Sequence, residues 1–180
     1  MRKINILVLL CFALAGSSAT AQSLTCPERF RELGRKQWNQ GRRIYVLVET
    51  TKVLGHDQYV RFSKGCRLGT STNGFHNCQS RAEFDFLAGA FGGLLRDAWV
   101  GGVFTDWAPN LGWVTEDGTR TLIYDAEKIG GWCKTSCFAP GEPNWDGKFL
   151  GYSKKHAGRY ADKGQGGQGG MVRSLLEFTY

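Results

Sequence analysis

The sequence carries almost none of the usual marks of an enzyme. It has no Cys-x-x-Cys pair, no cofactor fingerprint and no nucleophile beside a placed base, so redox, cofactor-dependent and covalent hydrolytic chemistry lack their ordinary signatures. Histidine is scarce: His56, His76 and His156 are scattered. Cys133-x3-Cys137 has no second pair or nearby histidine to complete a tetrahedral zinc site, so each histidine reads as a surface or packing residue. After the first residues no stretch approaches the roughly 20 apolar residues that a spanning helix needs. There are no internal repeats, which excludes solenoid architectures.

What is present begins with an export signal. Arg2 and Lys3 form a positive end, Ile4 to Ala15 an apolar run, and Ala19-Thr20-Ala21 an A-x-A cleavage site. Residues 1–21 are therefore expected to be removed, leaving 22–180 as one domain with a sizeable core. Cys11 sits inside the apolar run directly after Leu10, where a lipoprotein anchor would have a small residue. The product is expected outside the cytoplasm, extracellular or, in a bacterium, periplasmic.

Charge excludes less. The formal net charge is +7, and it falls by two when Arg2 and Lys3 are cleaved. Basic residues cluster at Arg29 to Arg43 and at Lys148 to Lys163. Such clusters favour anionic glycans, acidic surfaces or nucleic acid, but a solvated face that keeps the protein soluble is the stronger account of them. No nucleic-acid partner is expected. Past the signal stand Cys26, Cys66, Cys78, Cys133 and Cys137. In an oxidising compartment most should pair, and the odd number leaves one free or linked to another chain.

Local patterns place the elements. Arg43 to Thr51 is rich in Ile, Tyr and Val and reads as a strand, although it alternates poorly. Asp57 to Leu68 reads as a first helix, stopped by Gly69. Ser80 and Glu83 form a capping box for a second helix over 81–95, with Phe84, Leu87, Phe91 and Leu94 on one face. Gly89, Gly92 and Gly93 weaken that helix, and close approach of a strand would account for them. Trp99 to Phe104 is a core strand, Thr121 to Tyr124 a short one, and Val172 to Phe178 closes the chain. From Thr105 to Asp146 the sequence is rich in Gly, Pro, Asp and Trp, as a long surface loop is. Gly164 to Gly170 reads as a flexible turn.

The order of motifs carries further. Trp99-Val100-Gly101-Gly102 is followed by Trp113 with Glu116-Asp117-Gly118, then by Glu142-Pro143-Asn144 and the closing apolar strand. This set resembles the C-type lectin-like domain over nearly the whole mature chain, from about Cys26 to Tyr180. The resemblance implies an α+β fold of two helices and two small antiparallel sheets with a long binding loop. It also implies that the first and last strands pair antiparallel, and that a cis bond precedes Pro143. The activity implied is non-catalytic recognition of carbohydrate, mannose-type and calcium-dependent, with a glycan or glycoprotein as partner.

By the resemblance, Glu142 and Asn144 would ligate calcium and hydrogen-bond to sugar, joined by Asp162 from Arg159-Tyr160-Ala161-Asp162. The chain departs from the pattern at Ala161, which replaces a coordinating Asn, and at Lys148 or Phe149, which replaces a further Glu. Asp146 is the available substitute ligand, and Trp145, Trp113 and Trp132 offer faces for stacking on a sugar. The residues admit a rebuilt calcium site or an inherited loop shape without metal. A metal-independent module for protein or anionic polysaccharide is the alternative. Glu142 and Asp162 as a hydrolytic carboxylate pair have no other support, so no enzyme is expected. Leu176 stands where many members carry their last cysteine. Cys66 is therefore expected to pair with Cys78, Cys133 with Cys137, and Cys26 to stay free or link chains.

Overall fold

A computed structural model describes residues 22–105, 112–116, 121–125, 131–144, 147–164 and 170–180. The expected signal segment with Cys11, the side chain of Trp113, the pair Trp145 and Asp146, and most of the Gly164 to Gly170 run lie outside the described residues. The fold is α+β and mostly strand. In chain order its elements are β1 (Leu24–Thr25), β2 (Phe30–Trp38), β3 (Arg43–Leu54), α1 (His56–Gly65), β4 (Arg67–Leu68), β5 (Ser71–Thr72), α2 (Arg81–Phe91), β6 (Ala98–Thr105), β7 (Gly112–Val114), β8 (Leu122–Asp125), β9 (Phe149–Tyr152), β10 (Tyr160–Lys163) and β11 (Met171–Thr179). No helix among the described residues is long and apolar enough to cross a membrane.

Instead of two small antiparallel sheets, the chain builds one large mixed sheet and one very small one. Eight strands join in the order β10-β9-β6-β11-β3-β2, with β7 and β8 continuing from β6, and β1, β4 and β5 make the second sheet. Strands β11 and β6 run parallel. The expected antiparallel pairing of the chain's two ends is present, with Leu175 opposite Leu47 and Phe178 opposite Ile44.

The poor alternation of β3 has a physical cause: the strand is buried on both faces, so every position from Ile44 to Val48 is apolar. Tyr45 and Leu47 face a core layer with Phe84, Leu87 and Phe91 of α2. Ile44, Val46 and Val48 face the opposite layer with Tyr59 and Phe62 of α1. Strand β6 is split the same way, with Val100 in the first layer and Trp99 in the second. Trp99 is fully buried, and its indole N–H donates to the Leu54 carbonyl at 2.7 Å. Burying a large apolar side chain contributes about 1.5 to 3 kcal/mol, so the two layers clamp the sheet between the helices.

Both helices end earlier than their sequences suggest. Helix α1 stops at Gly65. Helix α2 stops at Phe91 and passes into a 3-10 turn over Gly92–Leu94, which leaves Leu94 45% exposed in place of joining the buried face. Gly92 has φ of +50°, a left-handed conformation that explains a glycine there. No strand crowds Gly89 or Gly92, so the close-approach explanation does not hold. At the start of α2, Ser80 Oγ accepts from the Glu83 amide at 3.2 Å, while the Glu83 carboxylate reaches the amide of Gln79 at 2.9 Å, one residue earlier than a capping box requires.

The disulfide pairing differs from expectation. Cys26 is bonded to Cys66, and Cys78, Cys133 and Cys137 are free buried thiols. The small sheet is the reason: Leu24 pairs with Leu68 and Thr25 with Arg67, which brings Cys26 beside Cys66. Cys78 belongs to the core layer on the α2 side and Cys66 to the layer on the α1 side, so the large sheet separates them. Cys26 is thus not available to link chains. The Cys26–Cys66 bond closes a loop of 40 residues, for which chain entropy gives about 4 kcal/mol. Replacing both cysteines by alanine should lower the unfolding free energy by about that amount in urea titrations, and non-reducing peptide mapping should recover the Cys26 and Cys66 peptides joined.

Candidate functional site

Four places concentrate polar chemistry. The first is a buried network between the sheet and α2. Arg43 Nη1 lies 3.1 Å from Glu83 Oε2, and Arg43 Nε lies 3.0 Å from Glu177 Oε1. The Tyr45 hydroxyl donates to Glu83 Oε1 at 2.8 Å, and His76 Nδ1 stands 2.8 Å from Glu177 Oε2. Burial, the neighbouring Glu83 and then Glu177 push the Tyr45 phenol up, which keeps it a donor. Burial pulls against the Arg43 charge, but Glu177 and Glu83 overcome it and its pKa is raised.

His76, Cys78 and Glu83 place potential ligand atoms within 4.8 Å of one another. The donor set does not suit a metal. Both Glu83 oxygens already serve Tyr45, Gln79 and Arg43, and the guanidinium would repel a cation. Burial raises the Cys78 thiol well above its ordinary pKa, so the thiolate a metal requires is disfavoured. The cluster is an internal ion network. Removing one partner of such a network strands the other charge in the core, so Glu83→Gln should destabilise the protein by about 3 kcal/mol, read as a lower urea midpoint.

The second place is the thiol pair Cys133 and Cys137, on and beside a 3-10 turn over Thr135–Cys137. Burial and Cys137 push the Cys133 thiol up, while a hydrogen bond from Cys133 lowers that of Cys137. In place of the expected staple, both cysteines are free thiols. Trp132, expected as a sugar platform, is half-buried against Phe84 and Tyr160, with ring centroids 6.1 and 6.4 Å away.

The third place gathers the residues singled out by sequence. The Glu142-Pro143 bond is cis. The loop before it is tied to β10, because the Ala139 amide donates to the Tyr160 carbonyl and the Glu142 amide to the Ala139 carbonyl, both at 2.9 Å. The amide of Asn144 donates at 3.3 Å to both Glu142 Oε2 and Asp162 Oδ1. The Gly147 amide donates to Asp162 Oδ2 at 3.1 Å. A side chain at Gly147 would collide with the backbone of Lys163, so only glycine lets the chain pass this close. Glu142 and Asp162 thus bracket one N–H, with Asp162 buried and Asn144 exposed.

The electrostatics follow. Partial burial and then the Asp162 carboxylate beside it raise the Glu142 acid to about 7. Neither carboxylate makes an ion pair among the described residues. Phe149, one candidate for the missing glutamate position, is buried and stacks on His56 with ring centroids 3.6 Å apart, so it is no ligand position. Lys148 is exposed beside it.

Sequence reasoning missed a fourth polar group. Glu116 Oε2 accepts from the Gly102 amide at 3.0 Å and meets His56 Nε2 at 2.9 Å, and its own amide donates to Asn77 Oδ1 at 2.9 Å. A side chain at Gly101 would collide with the His76 carbonyl, which accepts from the Gly101 amide at 2.8 Å. The Gly101-Gly102 pair was the available signal for that close approach. No protein-family model matches this chain, and no curated protein or solved structure matches it either.

Proposed function

We propose that this chain is an exported, non-catalytic carbohydrate-binding module of the C-type lectin-like fold, whose ligand docks through a calcium ion held by Glu142, Asn144 and Asp162. One observation carries the reading: two carboxylates share a single N–H with no cation paired to them among the described residues, and burial followed by the neighbouring Asp162 lifts the Glu142 acid to about 7. Such a pair favours an added positive charge, either a proton or a metal ion. The donors are hard oxygens, which suits calcium over zinc or copper. When bound, the ion would accept vicinal sugar hydroxyls, and the same side chains would hydrogen-bond to them. The fold assignment is supported by the order of motifs, the two helices, the pairing of the chain's ends and the position of Glu142-Pro143-Asn144 beside Asp162.

A calcium titration followed by a glycan array with and without chelator tests this reading. Glu142→Ala should abolish the chelator-sensitive part of binding by removing a metal ligand and a sugar acceptor. Lys148→Glu should strengthen it by replacing a repulsive charge with a carboxylate. A second reading rests on Lys154, Lys155 and Arg159, all exposed: an anionic polysaccharide would bind there. It requires insensitivity to chelator, loss with salt and weakening when those three residues are neutralised. Binding with no component sensitive to chelator or to Glu142→Ala would reject the calcium reading.

The pH dependence has a definite sign. A carboxylic acid raised to about 7 in the folded protein holds a proton there that the unfolded chain has released above its ordinary pKa of 4.5. Stability of the metal-free protein should therefore fall as pH rises from about 4.5 to about 7. Calcium competes with that proton, so calcium affinity should rise over the upper part of the same window. Thermal melts with and without calcium at several pH values should diverge most above about 7.

A further inference from the structure

A separate cleft of about 520 Å³ is lined by Lys64, Asn73, Asn77, Gln79, Glu116 and Glu177, among others, and it shares no residue with the Glu142 turn. Its carboxylates are fixed from behind. Glu177 is held by Arg43 at 3.0 Å and His76 at 2.8 Å. Glu116 is held by the Gly102 amide at 3.0 Å and His56 at 2.9 Å. Lys64 makes no ion pair among the described residues, and its ammonium stands 5.5 Å over the Phe75 ring. Asn73 follows β5 and is exposed, with φ of 65°. The volume falls in the range of small-ligand sites, and groups already immobilised lose little entropy when a ligand binds.

The wall narrows the ligand class. An apolar ligand would strip water from amides and carboxylates without replacing their hydrogen bonds. A polyanion would face Glu116 and Glu177 with only Lys64 to offset them. A simple cation would meet carboxylates already engaged by Arg43, His76 and His56. A neutral polyhydroxylated molecule supplies donors to the carboxylates and acceptors to Lys64 and the amides at once. We propose that this cleft is a second, cation-independent subsite for a neutral saccharide. The inference stands apart from the calcium reading of Glu142.

The test is an NMR titration of the whole exported domain with neutral methyl glycosides, with chelator present throughout. Amide shifts should move at Asn73, Asn77, Gln79 and Glu116 and saturate with a Kd of about 1 mM or tighter. Lys64→Met keeps the alkyl stem and removes the charge. Asn73→Gly removes the amide and accepts the positive φ. Both positions are exposed, so the variants should fold, and each should weaken binding about tenfold, whereas Glu142→Ala should leave it unchanged. Absence of shifts at these residues, or shifts that survive both substitutions at the same affinity, would overturn the proposal.

Discussion

Glu83 is a carboxylate that is 1% exposed, and the packing of the molecule depends on how that charge is satisfied. An isolated ionised carboxylate in the core would cost several kcal/mol. Arg43 comes from the start of β3, Tyr45 from the same strand two residues on, and the Gln79 amide from the segment leading into α2. Arg43 also holds Glu177 of β11, and Glu177 meets His76. Helix α2, the two central strands and the 74–79 segment are therefore tied to one guanidinium. The main-chain pairing of β3 with β11 sets the register in which this can happen, since Tyr45 lies opposite Glu177.

That arrangement also decides what the two carboxylate pairs of this protein can do. Glu83 and Glu177 share an internal cation, so their charge is spent on holding elements together. Among the described residues, Glu142 and Asp162 take backbone donors, both from Asn144 and Asp162 also from Gly147. The first pair is neutralised from within the core; the second has no ion pair among the described residues. Proximity of acidic groups alone would not have separated them, and the position of one arginine does.

The legible parts of the sequence were those with a strong local cause. Strand β3 reads as a dense apolar run over Ile44 to Val48, β6 and β11 bury apolar residues on both faces, and α2 announces itself through Ser80 and the spacing of Phe84, Leu87 and Phe91. The convergence of Glu142, Asn144 and Asp162 was readable from motif order. Strand β2 was not readable, because Phe-Arg-Glu-Leu-Gly-Arg-Lys-Gln-Trp forms an edge whose side chains are never fully buried, and its pairing with β3 supplies what its composition does not. The Cys26–Cys66 bond was hidden for a related reason. It depends on two-residue strands that carry no periodicity and exist only once tertiary contacts pair them.

Glu116 is the clearest case of a site residue without a local signal. Its role comes from three partners far apart in the chain, at Gly102, His56 and Asn77. Each needs a different element in place: β6 for the Gly102 amide, the start of α1 for His56, and the 74–79 segment for Asn77. The Gly101 contact with the His76 carbonyl brings the last of these against β6, and only a residue without a side chain permits it. The two glycines after Trp99 are thus backbone devices that seat a carboxylate at the cleft. The buried network behind Glu177 does the same for the opposite wall. Framework and recess are made by the same interactions, so a substitution that loosens the Arg43 network should disturb the cleft before it reaches the Glu142 turn, which is fastened independently through β10.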